Sequence, residues 1–105
     1  MNWPNDADGD VLRRMKQADF DFGKPCTIDF NVDFDEWPPS EAAIHTLKRE
    51  YQSAKVFEPT SDDEGYIQFQ LHELLTYELV VGTQEHVTAM MEPYGGRCES
   101  WGVLH

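Results

Sequence analysis

The sequence predicts an α+β fold, a ferredoxin-like two-layer sandwich in the order αβαββαβ, with a four-stranded antiparallel sheet and three helices on one face. Three observations carry the prediction. Two segments, 27–34 and 66–72, alternate apolar and polar residues without a fault, as strands with one buried and one wet face do. Apolar residues recur at helical spacing in three other segments, and the last six elements follow one another in the split βαβ order. A length of 105 residues fits a single domain, 1–105, which buries about two-thirds of its unfolded surface, enough for a core without metal or disulfide staples.

The elements follow in order. Asn5 or Asp6 caps a first helix that runs through about Ala18, with acids in its first turn, Arg13, Arg14 and Lys16 near its end, and Val11, Leu12, Met15 and Ala18 on one face. The first strand, 27–34, turns Ile28, Phe30, Val32 and Phe34 inward and Thr27, Asp29, Asn31 and Asp33 outward. Pro38 and Pro39 break the chain, and Ser40 caps a helix with Ala43, Ile44, Leu47, Tyr51 and Ala54 at helical spacing. A short strand near 55–58 and a polar turn over 60–65 lead into the third strand, which directs Ile67, Phe69 and Leu71 inward and Tyr66, Gln68, Gln70 and His72 outward. A long helix over about 76–92 buries Leu79, Val80, Val87, Met90 and Met91, and stops at Pro93 and the Gly95-Gly96 pair. A last strand, 97–101, closes the fold.

Charge restricts the function. The stretch 56–96 contains no Lys or Arg, while Glu58, Asp62, Asp63, Glu64, Glu73, Glu78, Glu85 and Glu92 all lie within it. The whole chain carries 20 Asp plus Glu against 8 Lys plus Arg, a formal charge of -12. Its field is expected to be negative in every direction of approach, repelling phosphate backbones and anionic lipid and attracting basic surfaces over about 8 Å at physiological salt. A protein partner with a basic segment is therefore favoured over direct nucleic-acid binding, which needs a Lys/Arg footprint. The first residues have neither a basic nor an apolar leader region, and no apolar run approaches the roughly 20 residues of a membrane span, so the expectation is a soluble, cytoplasmic monomer without membrane contact. Cys26 and Cys98, with no Cys-x-x-Cys or Cys/His spacing, give no zinc site; they begin the first and last strands, at opposite ends of the sheet, and are not expected to bond.

The strand order 4-1-3-2 brings Asp29, Asn31 and Asp33 beside Gln68, Gln70 and His72 on the uncovered sheet face. Parity in the last strand adds Glu99 and Trp101 to that face and turns Cys98 and Ser100 toward the helices. A large aromatic among carboxylates and amides is a binding platform. Flanked by Trp3 or the segment 5–9, it gives a candidate partner-binding set of Asp29, Asn31, Glu99, Trp101, Trp3, Asp6 and Asp8. The plainer alternative is an ordinary polar sheet surface with one partly covered Trp.

Sharper chemistry finds little support. If Gly9 takes the turn position of a calcium loop, positions 1 and 12 fall on Pro4 and Met15, where carboxylates are required, so residues 5–10 read as an acidic helix start. Asp29, Asp33 and Glu99 have no neighbouring nucleophile or closed pocket that would make them an acid/base pair. His45, His72 and His86 sit in three separate elements without ligand spacing, so no metal or cofactor is expected. RNA-recognition sheets of this architecture display aromatics where this chain has Asp29, Asn31, Gln68 and Gln70.

Trp3-Pro4-Asn5-Asp6-Ala7-Asp8-Gly9-Asp10, Ile28-Asp29-Phe30, and Glu92-Pro93-Tyr94-Gly95-Gly96-Arg97 through Trp101-Gly102 together resemble the regulator of ribonuclease E activity B (RraB-like) family, over nearly the whole chain. Where that family commonly reads Tyr-Asp-Gly-Trp-Gly, this chain has Cys98-Glu99-Ser100-Trp101-Gly102. The resemblance implies a small acidic inhibitor, not an enzyme, that binds an endoribonuclease E-type protein and alters RNA decay, its acidic surface meeting the basic scaffold region of that enzyme. The alternative is a module that holds a small molecule or peptide on the open sheet around Asp29 and Trp101, the ribonuclease connection belonging only to longer relatives.

Overall fold

The computed structural model describes residues 3–103 and has the architecture that the sequence predicts. Helix α1 (Ala7–Gln17) is capped by Asp6, whose carboxylate accepts the Gly9 N–H at 2.7 Å, with Asp8 and Asp10 in the first turn and Arg14 and Lys16 in the last, as the helix dipole favours. Strand β1 (Cys26–Phe34) leads through a cis Trp37–Pro38 bond to helix α2 (Glu41–Glu50), where the Ser40 hydroxyl accepts the Ala43 N–H. Strands β2 (Lys55–Phe57) and β3 (Tyr66–Glu73) form the hairpin. Helix α3 (Tyr77–Met91), capped by Thr76, passes into a short 3-10 turn over Glu92–Tyr94. Gly95 then takes a left-handed conformation at φ 74°, open to glycine without strain, and β4 (Gly96–Val103) follows.

The sheet order is β2-β3-β1-β4, antiparallel throughout. Ile28, Phe30 and Val32 of β1 and Ile67 and Phe69 of β3 are buried with Leu12 of α1, Ala43 and Leu47 of α2, and Val80, Val87 and Met91 of α3, so all three helices share one core on one sheet face. Phe69 lies between Phe30, ring centroids 5.3 Å apart, and Tyr51, at 4.0 Å. Tyr51 lies just past the end of α2 and Ala54 in the connection to β2, yet both pack inward, while Leu79 and Met90 of α3 are only partly covered.

One local irregularity overturns part of the sequence reading. Val32 pairs with Cys98 but Asn31 pairs with Ser100, so Glu99 is an extra residue on β4 with no partner on β1: a β-bulge. Cys98 faces the core as predicted, but beyond the bulge the alternation inverts. Ser100 joins the open face opposite Asn31, and Trp101, opposite Phe30, turns to the helix side. The expected positions of Ser100 and Trp101 are thus exchanged. Cys26 pairs at the Glu73 end of the sheet and Cys98 near the other, and both thiols are free.

Candidate protein-binding surfaces

The bulge divides the predicted site residues between two places. On the helix side, Trp101 Nε1 donates to Asp8 Oδ1 at 2.8 Å, and Gln84 Nε2 of α3 approaches the same oxygen at 3.4 Å. The Tyr77 hydroxyl donates to Asp6 Oδ2 at 2.5 Å. That bond, with the Gly9 N–H, holds the Asp6 carboxyl below its ordinary value, and the Asp6 carboxylate pushes the Tyr77 phenol up to about 12. Arg13 donates to the Trp3 carbonyl at 2.8 Å and pairs with Asp10, while the Trp3 ring lies 5.5 Å from Phe22. Gly9 is buried where a Cβ would lie 2.1 Å from the Pro4 carbonyl oxygen, so the chain entering α1 crosses it without room for a side chain. Trp3, Asp6, Asp8 and Trp101 therefore form one group, and its bonds fasten α1 to α3 and β4.

Asp29 and Asn31 lie on the opposite face of the sheet. There the outward residues of β1 and β3 meet in directly opposed pairs: Gln70 donates to Asp29 at 2.7 Å, Gln68 to Asn31 at 3.0 Å, and Thr27 Oγ1 lies 3.2 Å from His72 Nδ1. Asn31 also donates to Ser100 across to β4. The predicted juxtaposition of these side chains is present, and their polar groups satisfy one another as a cross-strand ladder. Glu99 stands exposed beside Arg97, which also pairs with Asp35. Asp33 has its carboxyl raised, first by partial burial, then by the Glu64 and Glu99 carboxylates, with Arg97 acting the other way.

Strand direction gathers charge at this end of the sheet. β1 and β2 end where β3 and β4 begin, so the connections 35–40, 58–65 and 92–95 lie together. They carry Asp35, Glu36, Glu58, Asp62, Asp63, Glu64 and Glu92, with Asp33 and Glu99 adjoining and Arg97 the cation among them. Lys48 and Arg49, in the last turn of α2, and Lys24, in the connection that enters β1, fall toward the other end, while Lys55 pairs with Gln68 near mid-sheet. Acidic side chains are thus concentrated at one end of the strands, and the acidic stretch 56–96 is itself divided, with Glu73 and Glu78 at the far end, where Asp6 also lies against Tyr77.

Within the acidic end a pocket of about 190 Å3 is lined by Phe34, Asp35, Trp37, Pro59, Glu64 and Gly65. The sequence reading left Trp37 out; an aromatic between acidic residues and a proline pair was the signal for it. A separate cavity of about 520 Å3 against α1, lined in part by Val11, Met15, Ala18 and Phe20, contains none of the predicted residues. Among the described residues no group of His, Cys, Asp or Glu is placed to hold a metal ion, and no helix is long and apolar enough to cross a membrane.

The family model described as regulator of ribonuclease activity B, RraB, matches residues 5–103, from the residue before the α1 cap to the end of β4. The chain belongs to the RraB family. No curated protein matches it closely. RraB is a family of regulators of ribonuclease activity and not of catalysts, so the surfaces of this RraB chain are to be judged as places for a partner. The match also contains both halves of the divided site apart from Trp3: the α1 fastening through Asp6, Asp8 and Trp101, and the open face with its acidic end.

Proposed function

We propose that this RraB-family protein lowers the activity of a ribonuclease E-type enzyme by binding it directly, through the acidic end of the sheet, on a basic, non-catalytic segment of the enzyme. The concentration of Asp35, Glu36, Glu58, Asp62, Asp63 and Glu64 in adjoining loops is the observation that carries this reading. It complements an Arg/Lys-rich chain and repels RNA itself, so the regulation runs through protein contact without chemistry of its own. The protein acts as a cytoplasmic monomer. Asp29, Asn31 and Glu99 extend the contact surface along the open face, while Trp101, Trp3, Asp6 and Asp8 hold α1 in place and contribute through the fold. The mutual pairing of Asp29 with Gln70 and of Asn31 with Gln68 occupies polar groups that the small-ligand alternative would use, and so favours the protein-contact reading.

The test is a titration of the protein into a cleavage assay, with full-length enzyme and with the catalytic half alone, at low and at physiological salt. Cleavage by the full-length enzyme should fall, more at low salt, and the catalytic half should be unaffected. Unchanged cleavage in every condition, with no association, would overturn the reading.

A further inference from the structure

The pocket of about 190 Å3 at the acidic end is smaller than the roughly 300–1,000 Å3 of small-molecule sites, and its size suits one side chain. Its aromatic wall is held from two sides. The Trp37 indole N–H donates to Glu58 Oε2 at 3.1 Å, and the ring lies so close over Gly65 that a Cβ there would be 2.6 Å from Cε2. Trp37 is thus pre-positioned, and a ligand ordering against it has little rotamer freedom to remove. Two carboxylates complete the wall. Asp35 already binds the Arg97 guanidinium, so this corner of the fold accepts that group, whereas Glu64 makes no ion pair among the described residues. The carboxyl of neighbouring Asp33 is raised first by partial burial and then by the Glu64 and Glu99 carboxylates, whose negative charge an arriving cation would offset.

We propose that this pocket receives one arginine side chain of a basic protein segment, its guanidinium against the Trp37 indole and paired with Glu64. The proposal rests on the reading of the chain as a regulator that binds such a segment, and names the anchor point within it. Arginine fits better than lysine because its planar guanidinium lies against an aromatic ring while its fork meets a carboxylate.

The probe is a short peptide of alternating arginine and glycine, titrated into the whole protein while the Trp37 indole N–H and the Gly65 amide are followed by nitrogen–proton NMR, the indole signal being assigned by its loss in Trp37→Phe. Both signals should move and saturate. Glu64→Gln, an exposed change that keeps the fold, should weaken binding about five- to tenfold. The lysine version should bind several-fold more weakly and the citrulline version not at all. No binding, shifts confined to other residues, Glu64→Gln binding like the parent, or lysine or citrulline peptides binding equally well would each overturn the proposal. The cleavage assay separates this from the wider reading. Equal inhibition by the parent and Glu64→Gln overturns the pocket and leaves the regulator standing; peptide binding at Trp37 without any effect on the enzyme supports the pocket and removes the ribonuclease.

Discussion

Trp101 shows how much one inserted residue decides. Without the Glu99 bulge, strict alternation would set its indole among Asp29 and Asn31; with it, the ring packs beside the core and its N–H reaches Asp8. The side chain is therefore structural first. Trp101→Phe removes the donor but keeps most of the packing, and should cost about 1 kcal/mol, a typical net value for one hydrogen bond. Trp101→Ala removes the packing as well and should cost about 3 kcal/mol, near the lower end for truncating a large aromatic because the ring is only partly buried. Urea unfolding of both variants checks the order. A platform residue on the open face would instead give two nearly unchanged midpoints and weaker partner binding.

At the scale of elements, α1 stands apart from the split βαβ unit and is fastened to it by side chains as well as by Leu12. The Asp6–Tyr77 bond gives that fastening a pH dependence of definite sign. Because the folded carboxyl lies below its ordinary 3.8, the bond contributes fully above 3.8 and is lost as pH falls through the lower, folded value. Tyr77→Phe should therefore lower the melting temperature at neutral pH, and the gap from the parent should close in strong acid; thermal melts followed by circular dichroism at several pH values measure this, and a gap that persists in acid would mean that the hydroxyl acts through packing alone. The elements themselves were legible in the sequence because β1 and β3 alternate cleanly, and because Asp6, Ser40 and Thr76 announce their helices. The bulge was not, because β4 has no such alternation: Gly96-Arg97-Cys98-Glu99-Ser100 offers one apolar side chain, and the register is imposed by the fit of β4 to β1. Nor was the Asp8–Trp101 bond, which joins residues 93 positions apart, or the Trp37 pocket, which two loops build between them.

For the whole molecule, the sequence gives a net charge of -12 but not its direction, and the fold supplies the direction by ending β1 and β2 where β3 and β4 begin. A charge concentrated at one end orients an approaching basic chain, so it acts mainly on the rate of encounter, and its effect fades as salt shortens the screening length. This separates position from total charge. Replacing Asp62, Asp63 and Glu64 by Asn, Asn and Gln removes three charges from the acidic end; replacing Glu73, Glu78 and Glu85 by Gln removes the same number from the far end and from α3. If the acidic end is the docking surface, the first variant should associate with a basic segment about tenfold more slowly at low salt and show a flatter salt dependence, while the second stays close to the parent. Stopped-flow association at several salt concentrations makes the comparison. Equal slowing in both variants would mean that the partner senses only net charge, and the acidic end would lose its claim to be where the partner binds.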